Sequence, residues 1–220
     1  MASPEAGVPP AVDPAWLVHA DADLLVLAKP AGLLCQPGLG PALADSLISR
    51  VQRQWPGAQL VHRLDRDTSG LLLVALSPAL HRSLSGLFAA RRVHKRYDAV
   101  VHGRPQQAAG CIELALAKRQ HRPPLYGPDP AGKPCRTTWR LLPSAPSSDA
   151  PTSRLVLIPH TGRSHQLRVH LKAIGHPIVG DPLYGPEASP GVRLHLHASA
   201  LRFRHPLDGR ILQFEAPCPF

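Results

Sequence analysis

An unbroken apolar run, residues 71–76 (LLLVAL), follows directly on a segment dense in charge, residues 61–70 (VHRLDRDTSG). The run is short for a helix and reads as a core strand. Residues 23–29 (DLLVLAK) read as a second buried strand, ended by a turn at Pro30-Ala31-Gly32. Apolar positions at Leu43, Leu47, Ile48 and Val51 have helical spacing and predict an amphipathic helix over 43–54. Leu84, Leu87 and Phe88 predict another over 81–90. A third is expected over 164–174, with Leu167, His170, Leu171 and Ile174 on one side and Gly175 stopping it. Further strands are expected at 60–64, 96–102, 111–116, 137–142, 155–158, 193–203 and 210–215. Residues 119–132, rich in Pro and Gly, are expected to be irregular and exposed, and 143–152 (PSAPSSDAPT) to be a mobile loop. No internal repeat and no regular β-α-β cadence is visible. The expected class is α+β, with a large mixed or largely antiparallel sheet.

The chain has 220 residues, 44% of them hydrophobic, which suits one sizeable domain. It contains no apolar run of membrane-spanning length, and its N-terminus lacks the basic start and apolar stretch of a signal peptide. A cytoplasmic protein is expected. The formal charge is +10. A general preference for Arg, Ala and Pro is one source of it. A polyanionic partner is the other, since clustered Arg attracts phosphates and releases counterions. No basic amphipathic helix points to a membrane. Cys35, Cys111, Cys135 and Cys218 lie far apart without a CxxC pair, so free thiols, mostly buried, are expected and not a zinc site. His160, His165 and His170 recur every five residues, which matches neither a helix face nor the HExxH spacing. No metal is expected.

Chemistry concentrates in residues 61–76. Asp65 stands between Arg63 and Arg66, and an acid between cations is expected to stay ionised. Such a carboxylate can act as nucleophile or base. Thr68-Ser69-Gly70 is expected to form a tight turn, anchored by the strand behind it. A surface loop of salt bridges explains the same pattern. So does a glycosidase pair of Asp65 and Asp67, although aromatic residues that would stack sugars make up only 5% of the chain.

Residues 62–70, HRLDRDTSG, resemble the signature of the RluA class of RNA pseudouridine synthases over their full length. The resemblance continues in order through residues 23–38 (DLLVLAKPAGLLCQPG), 95–100 (KRYDAV), 159–185 (PHTGRSHQLRVHLKAIGHPIVGDPLYG) and 194–206. Residues 119–133 follow the family pattern only loosely. In length the chain is similar to the family's short members. Residues 1–20 are expected to be an N-terminal extension and 21–220 the catalytic domain, without an appended S4 RNA-binding domain.

The resemblance implies a pseudouridine-synthase-like sheet flanked by helices, with a central catalytic cleft. It implies isomerisation of specific uridines in structured RNA, in ribosomal RNA or tRNA stem-loops, by a monomer that uses no cofactor. It makes Asp65 the catalytic carboxylate, and Tyr97 the ring that stacks on the target uracil and helps remove the C5 proton. It makes Arg168 the partner of Asp65. Arg63, His62, Arg66 and Arg163 become RNA-binding residues, with Gly162 lending flexibility to the turn before Arg163. The alternative of a catalytically silent RNA-binding relative requires the same fold with a dispensable Asp65, Tyr97 and Arg168.

Overall fold

The computed structural model describes residues 10–121, 123–143, 152–186 and 191–220. Its main feature is a mixed sheet of mostly antiparallel strands, whose centre is the apolar run. Strand β4 (Ser69–Ala75) is buried along its whole length, and β2 (Leu24–Lys29) pairs with it antiparallel. Side chains alternate across a strand. Leu71, Leu73 and Ala75 therefore join Leu24 and Val26 in one cluster, while Leu72 and Val74 join Leu25 and Leu27 in another. Helix α1 (Leu47–Gln52) covers the second cluster through Leu47, Ile48 and Val51. Helix α2 (Pro78–Ala89) covers the first through Leu80 and Leu84. Covering both faces is why the run needs no polar alternation.

On the other flank of β4 lies β11 (Leu196–Arg204), the partner in the sheet's parallel pairing. Then follow β5 (His94–His102), β10 (Thr152–Pro159), β9 (Arg136–Leu141) and β6 (Ala109–Glu113), all antiparallel. Strand β1 (Leu17–Ala20) pairs with β2, β3 (Gln59–Leu60) with β4, and β12 (Ile211–Glu215) with β11. A third cluster lies under helix α3 (Gln166–Ala173), where Leu167 and Leu171 meet Val101, Leu155 and Leu157. Tyr97 packs against both this cluster and the one under α1.

Each helix has a local reason for its ends. Ser46 and Ser49 form a reciprocal capping box on α1, and Ser77 with Pro78 opens α2. Gly175 (φ 83°) closes α3, donating to Lys172 O while His176 donates to Leu171 O, the Schellman pattern.

Several expectations need correcting. The helix over 43–54 is shorter, because Ser46 caps it and residues 41–43 form a separate 3-10 turn. Residues 119–132 are not irregular: β7 (Leu116–His121) and β8 (Pro124–Pro128) pair as a separate two-stranded sheet. Its prolines stand at the ends of β8, where a missing donor is tolerated. The boundary at residue 20 falls inside the first hairpin, since β1 is part of the main sheet. Gly70 lies in β4 and not in a tight turn. Its φ is 113°, and a Cβ there would meet the Ala198 carbonyl at 2.3 Å. Glycine is required so that β4 and β11 can approach. Of the loop expected over 143–152, residues 144–151 lie outside the described residues.

Candidate active site

The register of the sheet sets the site. Gly70 pairs with Ala198, and Ala198 pairs with Tyr97, so the start of β4 and Tyr97 lie on one line across three strands. The loop 61–68 leaves β3 and returns into β4 directly over that line. It carries Asp65 to the wall of a cleft of about 910 Å³. The cleft is lined by His62, Arg63, Asp65, Tyr97, Gly162, Arg163 and Arg168, which the structure brings together. Arg66 is not in the lining, and its Nε donates to Asp67 Oδ1 at 3.0 Å. Arg91, Lys95 and Arg136 add to the wall. Among the described residues Asp65 is the only carboxylate in the lining. Asp67 is turned away, so the two acids do not flank a common bond as a glycosidase pair would.

The cation that holds Asp65 is distant in sequence. Arg168 Nη1 donates to Asp65 Oδ2 at 3.2 Å, whereas neither Arg63 nor Arg66 forms an ion pair with Asp65. Arg168 is itself held by Asp181, with Nε and Nη2 donating to its two oxygens at 2.8 and 2.7 Å. That fork is buried, with side-chain exposures of 3% and 0%. Burial works against the guanidinium's charge, but Asp181 and Asp65 outweigh it and raise its pKa. Asp181 also accepts the backbone N–H groups of Leu183 and Tyr184. The aim of Arg168 at Asp65 is therefore fixed from behind.

A second support comes from the turn after β2. Lys29 is 1% exposed, and its Nζ donates to the carbonyls of Pro30, Leu33 and Arg66, each at 2.8 Å. Burial pushes this ammonium down to about 8, which leaves it protonated at neutral pH. Gly32 N–H also donates to Arg66 O, and the Cys35 thiol bridges the N–H and carbonyl of Leu64 at 3.2 Å each. Thus residues 29–35 clamp both sides of Asp65. Replacing Lys29 with Met keeps the stem and removes three donors. We expect a loss of about 2–4 kcal/mol in stability, because buried carbonyls lose their partners. Chemical denaturation checks this, and an unchanged midpoint would contradict the clamp.

Tyr97 is half-buried in the floor. Burial, with the charge of Asp65 nearby, pushes its phenol well above the ordinary value, so it remains protonated. His62 stacks on Phe88 at 4.5 Å and accepts the Leu73 N–H through Nε2. Burial, and then Lys95, push it down to about 3. It is therefore a neutral ring at pH 7, with its proton on Nδ1, and not a cation. Arg63 and Arg163 are exposed in the lining. The turn before Arg163 is set by buried Gln166, whose Oε1 accepts from Thr161 Oγ1 and Arg163 N. Arg91 occupies the left-handed position that ends α2, with φ 58°. A non-glycine residue there costs about 1 kcal/mol, and in return a guanidinium lines the cleft.

The histidines of the five-residue recurrence separate. His160 faces Thr138, His165 lies in the cleft, and His170 is in the core on Thr137. Among the described residues no group of three or more His, Cys, Asp or Glu side chains is placed to hold a metal. Cys35 and Cys135 are buried, Cys111 is exposed, and all four thiols are free. Among the described residues no helix is long and apolar enough to cross a membrane.

Sequence reading missed Asp181, Lys29, Tyr126 and Tyr184 near this site. Asp181 and Tyr184 stand within residues 159–185, and the signal was an acid placed before Pro182 just beyond a helix stop. Lys29 was visible as a charge ending an apolar strand.

Comparison with known proteins gives a consistent result. The family described as RNA pseudouridylate synthase matches residues 23–173. The dual-specificity RNA pseudouridine synthase RluA of Salmonella typhi is 44% identical over 210 residues, covering 93% of this chain and 94% of that protein. Its counterpart in Escherichia coli strain K12 is 43% identical with the same coverage. Among solved structures, human RNA pseudouridylate synthase domain containing 1 superposes with a TM-score of 0.78 at 32% identity, covering 100% of this chain and 87% of that one.

Proposed function

The chain belongs to the RNA pseudouridylate synthase family, and we propose that Asp65, Tyr97 and Arg168 carry its isomerisation of uridine to pseudouridine. The observation that carries the assignment is the chain of fixed charges from Asp181 through Arg168 to Asp65, which among the described residues is the lining's one carboxylate. In the reaction the N1–C1′ bond breaks, the base turns, and C5 bonds to C1′. The C5 proton leaves and N1 gains one, so mass is unchanged. Asp65 acts on the ribose or the uracil as nucleophile or base, with Oδ2 held by Arg168 and Oδ1 left open to the cleft. Tyr97 stacks on the uracil and takes the C5 proton as it hands its own phenolic proton to the Asp65 carboxylate, in concert, because its raised pKa disfavours a resting phenolate. Tyr97→Phe should bind RNA as before and lose turnover by about 10²–10⁴-fold. A normal rate of product formation would reduce Tyr97 to packing.

The substrates are hairpins of ribosomal RNA or tRNA, read by the catalytic cleft of a monomer in the cytoplasm. Arg63, Arg91, Lys95, Arg136 and Arg163 of the cleft suit phosphates and carry little sequence information. A stacked base is out of reach, so the uridine must flip, which costs least in a loop. Arg63, exposed beside Asp65, fills the space left by the flipped nucleotide or holds its phosphate. The test is turnover on an isolated ribosomal hairpin or tRNA anticodon arm against the same element in full-length RNA. Equal turnover is expected, with binding that weakens steeply in salt. Conversion of the large RNA alone would contradict local reading.

A further inference from the structure

We propose that His165 is a positioning residue for Asp65: a neutral imidazole whose Nε2–H sets the free oxygen Oδ1 while Arg168 holds Oδ2. The inference rests on the reading of Asp65 as the reacting carboxylate and adds a second guide to it. His165 immediately precedes α3 and has a left-handed backbone, φ 55°, yet its side chain makes no capping hydrogen bond to the helix. Histidine tolerates this conformation better than most residues, but still at a cost of about 1 kcal/mol. The ring is spent on the cleft instead of the cap. It packs against Tyr126 and Tyr184 with centroids 5.1 and 5.6 Å away.

These tyrosines favour one tautomer. The Tyr184 hydroxyl oxygen accepts the Tyr126 backbone N–H at 2.9 Å. Its own proton is then free to go to His165 Nδ1, 2.7 Å away. An imidazole that accepts at Nδ1 carries its proton on Nε2. That atom is 4.0 Å from Asp65 Oδ1, about 1 Å beyond a hydrogen bond. Closure of the cleft on RNA has only to remove this gap for both carboxylate oxygens to be guided.

The arrangement is sensitive to protonation. Asp65 faces the ring from the loop before β4, Asp181 from the segment after α3, and Arg168 from the helix itself, while β8 contributes the uncharged Tyr126. Burial, then Arg168, disfavour the imidazolium, and the two carboxylates favour it. The balance lowers the pKa below 6.5, so the ring is neutral at pH 7. Below that pKa the ring can no longer accept the Tyr184 proton at Nδ1, and its charge pairs with Asp65 and weakens the carboxylate as nucleophile or base. Activity should therefore be complete above the His165 pKa and lost as pH falls through it.

The experiment compares wild type, His165→Asn and His165→Gln on unmodified ribosomal and tRNA transcripts between pH 5 and 8. Asn accepts the left-handed backbone but has no atom at the Nε2 position. It should bind RNA normally, lose kcat by about 10- to 100-fold and lack the His165 acid limb. Gln carries a non-titrating N–H near the Nε2 position. It should regain most of the rate with that limb still absent. A wild-type acid limb in either variant, a wild-type rate in Asn, or no recovery in Gln would overturn the proposal. An active Asp65→Asn enzyme would instead overturn the reading of Asp65, so the two failures are distinct.

Discussion

Asp65→Asn abolishes turnover by at least about 10³-fold while leaving fold and RNA binding intact, if the carboxylate reacts as proposed. The substitution keeps the size of the side chain and removes its charge. It leaves the support behind it standing, because Arg168 keeps its two bonds to buried Asp181. Asp65 itself is 27% exposed, so little burial energy depends on it. The cleft also loses a carboxylate from its lining, so affinity for RNA should hold or rise slightly. Turnover is measured on the transcript that wild type converts, and affinity by direct binding at fixed salt. Residual activity above about a tenth of wild type would sink the assignment.

Asp181→Asn should cost both stability and rate, and this separates the support from the chemistry. Removing the fully buried charge leaves Arg168 with only the more exposed Asp65 as counter-ion, at a cost of up to about 3–5 kcal/mol. For a chain of this size, about 3 kcal/mol corresponds to roughly 6–12 °C in melting temperature. Freed from its fork, Arg168 no longer has a fixed aim at Asp65, and kcat should fall by about 10²-fold in the fraction that stays folded. Asp65→Asn should show no comparable melting shift. Equal melting temperatures for the two variants would contradict the order Asp181, Arg168, Asp65.

Much of this molecule was legible in its sequence, and the parts that were not share a physical cause. The run 71–76 and the segment 23–29 were readable as core strands because burial on both faces leaves a continuous apolar signal. The loop 62–70 and Arg168 were readable through the family resemblance, and the structure pairs Asp65 with Arg168. Neighbouring charges misled, however. Arg66 stands next to Asp65 in sequence but turns to Asp67, because loop geometry and not sequence distance decides ion pairs. The pairing of β4 with β11 joins residues 128 positions apart, as the Ser69–His197 hydrogen bond shows, and no local pattern records such a contact. The hairpin of β7 and β8 was hidden by its prolines, and with it Tyr126, which reaches His165. Asp181 and Lys29 were overlooked despite their local signals, because a single buried charge reads like a surface one until its partners are known.

The central claim is that this chain converts uridine to its C-linked isomer through Asp65. The most direct measurement is to incubate an unmodified RNA transcript with wild type and with Asp65→Asn, digest it to nucleosides, and separate them by chromatography and mass. Wild type should produce pseudouridine, a nucleoside of uridine's mass with a different retention, and the variant should leave uridine unchanged. Release of free uracil, or pseudouridine formed equally by both enzymes, would contradict the account.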